Sequence, residues 1–290
     1  MKTLHNPVLL SKVVACLDPR RGESYLDLTA GYAGHADSIL AVTQNYKNAT
    51  LVDRDEYAVD FLKAKYKSEA LEILHRDFYS AVLQLIECGK TYDMILADFG
   101  VSSPQLDNAD RGFSFGKDGP LDMRMDRRQP FSADTIVNHA SLEELVDIFE
   151  KYGEMSPGFA RKVARIIVLN RPISGTLELA KLIKNNAKHS KVHPATKAFQ
   201  AIRIAVNDEL GEIKKTLPLL PKLLNPGGRV AIITFHSLED RLVKDFFKEA
   251  SSLGEESELE EISKPVVAES EELVINPRSR SAKLRVAKKR

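Results

Sequence analysis

An alternation in the first hundred residues constrains this chain more than any other feature. Short apolar runs that read as strands (24–29, 50–53, 71–75 and 92–98) are separated by segments with apolar residues at helical spacing (35–42, 56–67 and 81–88). Strand–helix–strand units of this length close into a parallel sheet with helices on its faces. Ligands of such sheets bind outside the carboxyl ends of the strands. Asp27, Asp53, Asp77 and Asp98 all stand at or near such ends. Random turn acids account for one or two of these; four point to a nucleoside or amino-acid site.

The alternation stops after Asp98. Residues 99–128 are rich in Gly, Ser, Asp, Arg and Pro and read as a long ordered loop, of the kind that usually carries function. From 141 to 210 the pattern is helical, opening on the capping box Ser141-Leu142-Glu143-Glu144 and continuing at 159–169 and 177–185. Strand character returns at 227–235, a helix follows at 239–250, and 283–286 reads as a last edge strand. The expected architecture is α/β and Rossmann-like: a doubly wound, mostly parallel seven-stranded sheet (1–106 and 211–290) carrying an inserted all-helical domain (107–210).

Composition narrows the class. Of 290 residues, 43% are hydrophobic and 29% charged, close to the globular average. The two cysteines, Cys16 and Cys88, exclude a disulfide scaffold, and without a CxxC pair there is no zinc-ribbon or thioredoxin-type site. No dedicated metal-ligand cluster appears. No apolar run approaches the ~18 residues of a membrane helix, and the first residues lack a signal-peptide core, so the cytoplasm is the expected compartment. The net charge of +1 makes no case for nucleic acid. Its distribution does more, because an acid-rich segment (255–272) precedes the basic run Arg278, Arg280, Lys283, Arg285, Lys288, Lys289, Arg290. That run reads either as a solvated end or as a phosphate-facing arm.

The turn Thr29-Ala30-Gly31-Tyr32-Ala33-Gly34-His35 follows the first strand and opens a helix, where glycines let a ligand reach free backbone amides. A dinucleotide fingerprint needs G-x-G-x-x-G, and Thr29 stands at its first glycine, which weakens a dehydrogenase reading. Asp53 ends the second strand 19 positions beyond Gly34, where a carboxylate can hold both ribose hydroxyls. Phe78 reads as an adenine-packing face or, more commonly, a core side chain. A glycine turn and ribose acid without a phosphate-binding Gly-Lys-Ser/Thr loop suit S-adenosylmethionine, which has no phosphates. A second motif, Gly112-Phe113-Ser114-Phe115-Gly116, matches a hydrolase nucleophile elbow with His193 and His236 downstream, but lacks the required strand before and helix after.

The segment Asp98-Phe99-Gly100-Val101-Ser102-Ser103-Pro104-Gln105-Leu106-Asp107, with Arg111-Gly112-Phe113-Ser114-Phe115 and Gly119-Pro120-Leu121-Asp122-Met123-Arg124-Met125, strongly resembles the MraW (RsmH) family of small-subunit ribosomal RNA methyltransferases. The resemblance spans almost the whole chain. It begins at His5-Asn6-Pro7-Val8-Leu9-Leu10 and recurs at His193-Pro194-Ala195-Thr196, at 199–210, at Phe235-His236-Ser237-Leu238-Glu239-Asp240-Arg241 and at 276–285. It implies a class I S-adenosylmethionine-dependent fold that methylates N4 of a cytidine in the decoding region of 16S rRNA, with the assembled small subunit as substrate. A homodimer stays an open expectation. The implied cofactor positions are Ala33, Gly34, His35, Asp53, Phe78, Asp98 and Gln105, of which His35 and Gln105 come from the resemblance alone. Tyr32 and Ala33 depart from the family's usual glycine run, Phe99 from its leucine, and Gly153-Glu154-Met155-Ser156 from its Gly-Glu-Glu-Arg.

For catalysis, Asp98 reads either as the acceptor beside the target amine or as a cofactor ligand. His236 reads either as a base-orienting or proton-shedding group, or as a structural histidine beside Glu239 and Asp240. The RNA-binding candidates are Arg111, Arg124, Arg203, Arg278 and Arg280 for phosphates, Phe113 and Phe115 as a stacking platform for a flipped cytidine, and Asn207, one helical turn from Arg203. The rival class is a nucleic-acid-binding module without activity; intact Gly34, Asp53 and Asp98 favour the enzyme.

Overall fold

A computed structural model describes residues 7–187, 193–252, 257–261 and 264–290. His5 and Asn6 of the family-like opening block, and part of the acid-rich segment, lie outside the described residues. In chain order the elements are α1 (Leu10–Leu17), β1 (Tyr25–Asp27), α2 (Gly34–Thr43), β2 (Ala49–Asp53), α3 (Glu56–Lys65), β3 (Glu72–His75), α4 (Phe78–Glu87), β4 (Tyr92–Asp98), α5 (Ser103–Asp107), α6 (Leu142–Gly153), α7 (Pro157–Leu169), α8 (Thr176–Asn185), α9 (Ala195–Asn207), α10 (Glu209–Thr216), β5 (Leu224–Thr234), α11 (Ser237–Ala250), β6 (Leu259–Glu261), β7 (Val266–Val267), α12 (Ser270–Ile275) and β8 (Lys283–Lys289). The chain divides into two compact units, Met1–Gly100 with Leu210–Arg290, and Val101–Glu209. The insertion thus begins at Val101, whereas the sequence pattern placed its start at 107.

The first unit is one sheet of order β3-β2-β1-β4-β5-β8-β6, with the two-residue β7 also paired to β8. Strands β1 to β5 run parallel, and β8 runs antiparallel to β5. The last strand is therefore interior, not the edge expected of it. Its burial explains the difference: Leu284, Arg285, Val286 and Ala287 are all buried, which an edge strand could not provide on both sides. Side chains alternate across the sheet with period two. Leu26, Ile95, Ala97, Val230 and Ile232 pack on one face with Val82 and Leu85 of α4 and with Val243 and Phe247 of α11. Tyr25, Met94, Leu96, Ala231 and Ile233 pack on the other with Val13 and Leu17 of α1, Ile39 and Leu40 of α2 and Leu62 of α3. Both faces are covered, as a parallel sheet requires.

The second unit has its own core, built from α6–α9 around Phe149, Val163, Ile167, Leu179, Ile183, Phe199 and Ile202. The Ser141 capping box is present, with Glu144 accepting from the Ser141 amide. The segment 99–128 is less irregular than its composition suggested. It contains α5, started by a second capping box in which Ser102 and Gln105 cap each other. Gly112 sits at φ +70°, and a Cβ there would lie 2.1 Å from the Pro120 carbonyl, so only glycine fits.

Candidate active site

The order β2-β1-β4 sets three strand ends side by side, at the point where the sheet's connectivity reverses. Asp53, Asp27 and Asp98 terminate those strands in that order. The Asp53 carboxylate accepts the Gly31 amide through Oδ2 and the Asp55 amide through Oδ1, both at 2.8 Å. Two backbone donors fix its plane and leave further lone pairs for a ligand. Asp27 takes the Tyr25 hydroxyl at 2.8 Å and the Thr29 amide at 3.1 Å. Asp98 is held through its own amide, which donates to Thr29 Oγ1 at 2.6 Å. One of its oxygens, Oδ1, is buried and has no hydrogen-bond partner among the described residues. An acceptor in that condition calls for a donor from a ligand.

The turn from β1 into α2 frames the same edge. Gly31 and Ala33 both adopt left-handed backbone, at φ +51° and +63°. Glycine takes this conformation freely, whereas alanine pays about 1 kcal/mol. That is the physical content of the departure at Ala33 from the family's glycine run. Gly34 begins α2 under Pro7, and a Cβ there would sit 2.5 Å from the proline ring. His35 is buried in the first turn, with Nε2 2.9 Å from the Val8 carbonyl oxygen. Phe78 begins α4 in the core, its ring 5.5 Å from that of Phe99. Ala33, Gly34, His35, Asp53, Phe78 and Asp98 therefore belong to one unit and one sheet edge. Asp77 has a different task, capping α4 by accepting from the Ser80 amide.

Burial raises the proton affinity of this carboxylate group. It pushes Asp27 up to about 7 and Asp53 up to about 6. Asp98 is pushed well above the usual carboxylate range by burial, with the charges of Asp27 and Glu239 adding to it. An unfolded aspartate titrates near ~3.9, so between about pH 4 and 7 the folded chain holds protons the unfolded chain has lost. Stability of the ligand-free protein accordingly falls as pH rises through that window. We expect a lower urea midpoint at pH 7.5 than at pH 5, and a smaller difference in Asp27→Asn; equal midpoints in the wild type would refute it.

The remaining expected residues are placed as follows. Gln105 is buried in the second unit, with its Oε1 accepting from the Ser102 amide as part of the α5 cap. His236 stands just after β5, its Nε2 buried 3.1 Å from Glu239 Oε1. It is the N-cap of α11, its Nδ1 accepting from the Glu239 amide at 3.4 Å, while Glu239 accepts the Phe235 amide at 2.7 Å. Asn207 does not present itself to a ligand. It is buried, its Oδ1 accepts from the Met125 amide at 2.8 Å, and its Nδ2 donates to the carbonyls of Met123 and Arg203 at 2.8 and 2.9 Å. Arg203 forks onto Glu209 through two 2.8 Å bonds. Arg111 is buried and donates to the carbonyls of Arg124 and Met125. Arg124 clamps Asp122, and Phe113 lies in the core of the second unit. Phe115 is half-buried between the rings of His193 and Phe199. Arg278 and Arg280 are exposed, on the short turn before β8. The Ser114 hydroxyl accepts the Gly116 amide in a loop with no strand before it and no helix directly after it, as the hydrolase reading's missing context implied.

Thr29, Val8 and Pro7 were missed as parts of the site. The Pro7-Val8 block was visible in sequence, but nothing in it told that a carbonyl would meet His35.

A sheet of this order with its last long strand reversed, and with acids at three adjacent carboxyl ends, defines a Rossmann-like α/β fold with a ligand site at its topological switch point. The family model described as the MraW methylase family matches residues 2–290, and the chain belongs to that family. It is 44% identical over 297 residues to a protein of Acidobacterium capsulatum named ribosomal RNA small subunit methyltransferase H, covering 99% of this chain and 98% of that one. It is 45% identical over 289 residues to a protein of the same name from Cyanothece sp., with 99% and 95% covered. A third, from Lactobacillus johnsonii, is 42% identical with both chains covered in full.

Proposed function

We propose that this chain transfers a methyl group from S-adenosylmethionine to the exocyclic N4 amine of a cytidine in the decoding region of 16S rRNA, within the assembled small subunit, and so acts in the cytoplasm. The observation that carries the reading is full-length identity of 42–45% to proteins named for methylating small-subunit ribosomal RNA. The strand-end carboxylates agree with it. S-adenosylmethionine would supply an electrophilic methyl on a sulfonium, together with an ammonium group and a ribose diol. Three acids at one edge suit so cationic and hydroxyl-rich a molecule. Asp53, fixed by two amides, would accept the ribose hydroxyls, and the turn at 31–35 would offer backbone to the rest of the cofactor. Asp98 would accept a hydrogen bond from the substrate amine through Oδ1, orienting the nitrogen lone pair for in-line approach. Arg278 and Arg280, exposed on the turn before β8, would contact phosphate.

The test is methyl transfer from labelled S-adenosylmethionine to small subunits that lack the modification, with digestion to locate the label. Label on a cytidine N4 is expected. Asp53→Ala should raise the cofactor KM by at least about tenfold, since hydrogen bonds to a charged acceptor are worth ~1.5–3 kcal/mol each. Label on another base, or none despite measured cofactor binding, would overturn the assignment of substrate.

A further inference from the structure

We infer that the inserted unit carries a docking groove for a basic protein segment: an extended peptide with several cationic side chains and an apolar anchor. Placing that segment on the substrate particle rests on the methyl transfer proposed above, because a ribosomal subunit presents basic protein as well as RNA. An open groove of about 860 Å³, lined by α6 and the 131–140 segment, lies wholly within the second unit. Its floor is apolar. Ile136 is buried, and Ile148 and Tyr152 are half-buried against the unit's core. Phe131, also in the lining, is 44% exposed. Part of the wall is the π-helical turn Thr135–His139, a wider coil met mostly at functional sites.

Spacing along α6 sets the charge of this groove. Leu145 and Phe149 turn into the core, while Glu144, Asp147, Ile148 and Lys151 share the outward face at helical spacing. With Glu150 the lining holds three carboxylates. Its basic side chains are Lys151 and His139. Lys151 Nζ lies 4.9 Å from the centre of the Tyr152 ring, and His139 stands 3.8 Å from Asp134, so each has a partner at hand. Glu144 accepts the Ser141 amide, which pins its charge at the start of the helix. Exposed apolar surface rimmed by charge marks an interaction site.

The acids select the occupant. A rim of this sign repels phosphate, so the groove does not suit an RNA backbone. Glu144 and Glu150 stand six residues apart on one helix, about 9 Å at ~1.5 Å per residue. A single small cation cannot span that distance. Lysine or arginine side chains a few residues apart on an extended chain can, at ~3.3 Å per residue. An aromatic or branched side chain between them would pack on Phe131, Ile148 and Tyr152. Apolar contact then supplies affinity, and the charges supply steering and register.

Fluorescence anisotropy of the full chain with a labelled peptide, Arg-Lys-Phe-Lys-Arg-Leu-Lys-Arg, reads the groove without any reaction. Binding is expected, and serine in place of the peptide's Phe and Leu should weaken it. Asp147→Lys, at an exposed position, should weaken it about fivefold or more at low ionic strength, since an attraction is lost and a repulsion gained. Phe131→Ala should weaken it about tenfold, the scale for truncating an interface anchor. Circular dichroism of both variants should match the wild type. In the reaction, Asp147→Lys should raise the KM for small subunits and leave kcat and the cofactor KM unchanged. Absence of peptide binding, or an affinity that neither variant changes, overturns the inference. Affinity for an RNA oligonucleotide that falls in Phe131→Ala while peptide affinity holds would give the groove to RNA and overturn it too. Peptide binding that follows both variants, beside a wild type that labels no cytidine, counts against the proposed substrate and leaves the groove standing.

Discussion

We expect Asp98→Asn to lower kcat for the proposed methyl transfer by about a thousandfold, within the range for loss of a positioned acceptor, and to leave the cofactor KM within a few-fold. Asparagine is isosteric with aspartate, and the backbone amide at position 98 still donates to Thr29 Oγ1. What changes is the buried Oδ1, which either becomes an NH₂ group that repels the substrate amine or stays a much weaker neutral acceptor. An exocyclic cytosine amine is a poor nucleophile, since its lone pair is delocalised into the ring, so orientation of that lone pair is the main service the protein can give. Single-turnover kinetics with saturating cofactor separate the outcomes. An effect confined to cofactor KM would assign Asp98 to the cofactor instead.

Asn207→Ala destabilises the second unit by about 3 kcal/mol or more. The side chain makes three hydrogen bonds, two of them tying α9 to the backbone of the 123–125 segment. Truncation leaves the Met125 amide and the Met123 carbonyl without these partners in a buried place, and each such loss costs ~1–3 kcal/mol. Urea unfolding of the variant measures it. RNA affinity per folded molecule should stay unchanged; a folded variant of normal stability with weakened RNA binding would return Asn207 to the interface.

Local rules made the sheet domain legible. β4 spans Tyr92–Asp98 as read from the sequence, and the Ser141 capping box starts α6 where it should. Three strand-end acids fell together because a parallel sheet places all its carboxyl ends on one edge. The failures share a cause, which is that sequence does not say who satisfies a polar side chain. Arg203 and Asn207 do share a helix face, but that face is turned to Glu209 and to the Met123–Met125 backbone, not to a ligand. Arg111 looked like a phosphate contact and is a pin for a loop. α5 was missed although Ser102-x-x-Gln105 is a capping box, since the surrounding glycines and prolines outweighed it. β8 was called an edge because only its first four residues read as a strand, while three more extend it along β6.

The insertion also has a consequence for synthesis. β4 and β5 are hydrogen-bonded neighbours, yet residues 99–223 separate them in the chain. At ~5–20 residues per second the ribosome needs roughly 6–25 seconds to make that interval. For that time β4 emerges with one side of its ladder unpaired, an apolar template for the wrong neighbour. The inserted helices have their own core and relatively local contacts, so they can collapse while the sheet waits. A nascent chain arrested before β5 should therefore show a protease-resistant insert beside a sheet half that chaperones still hold.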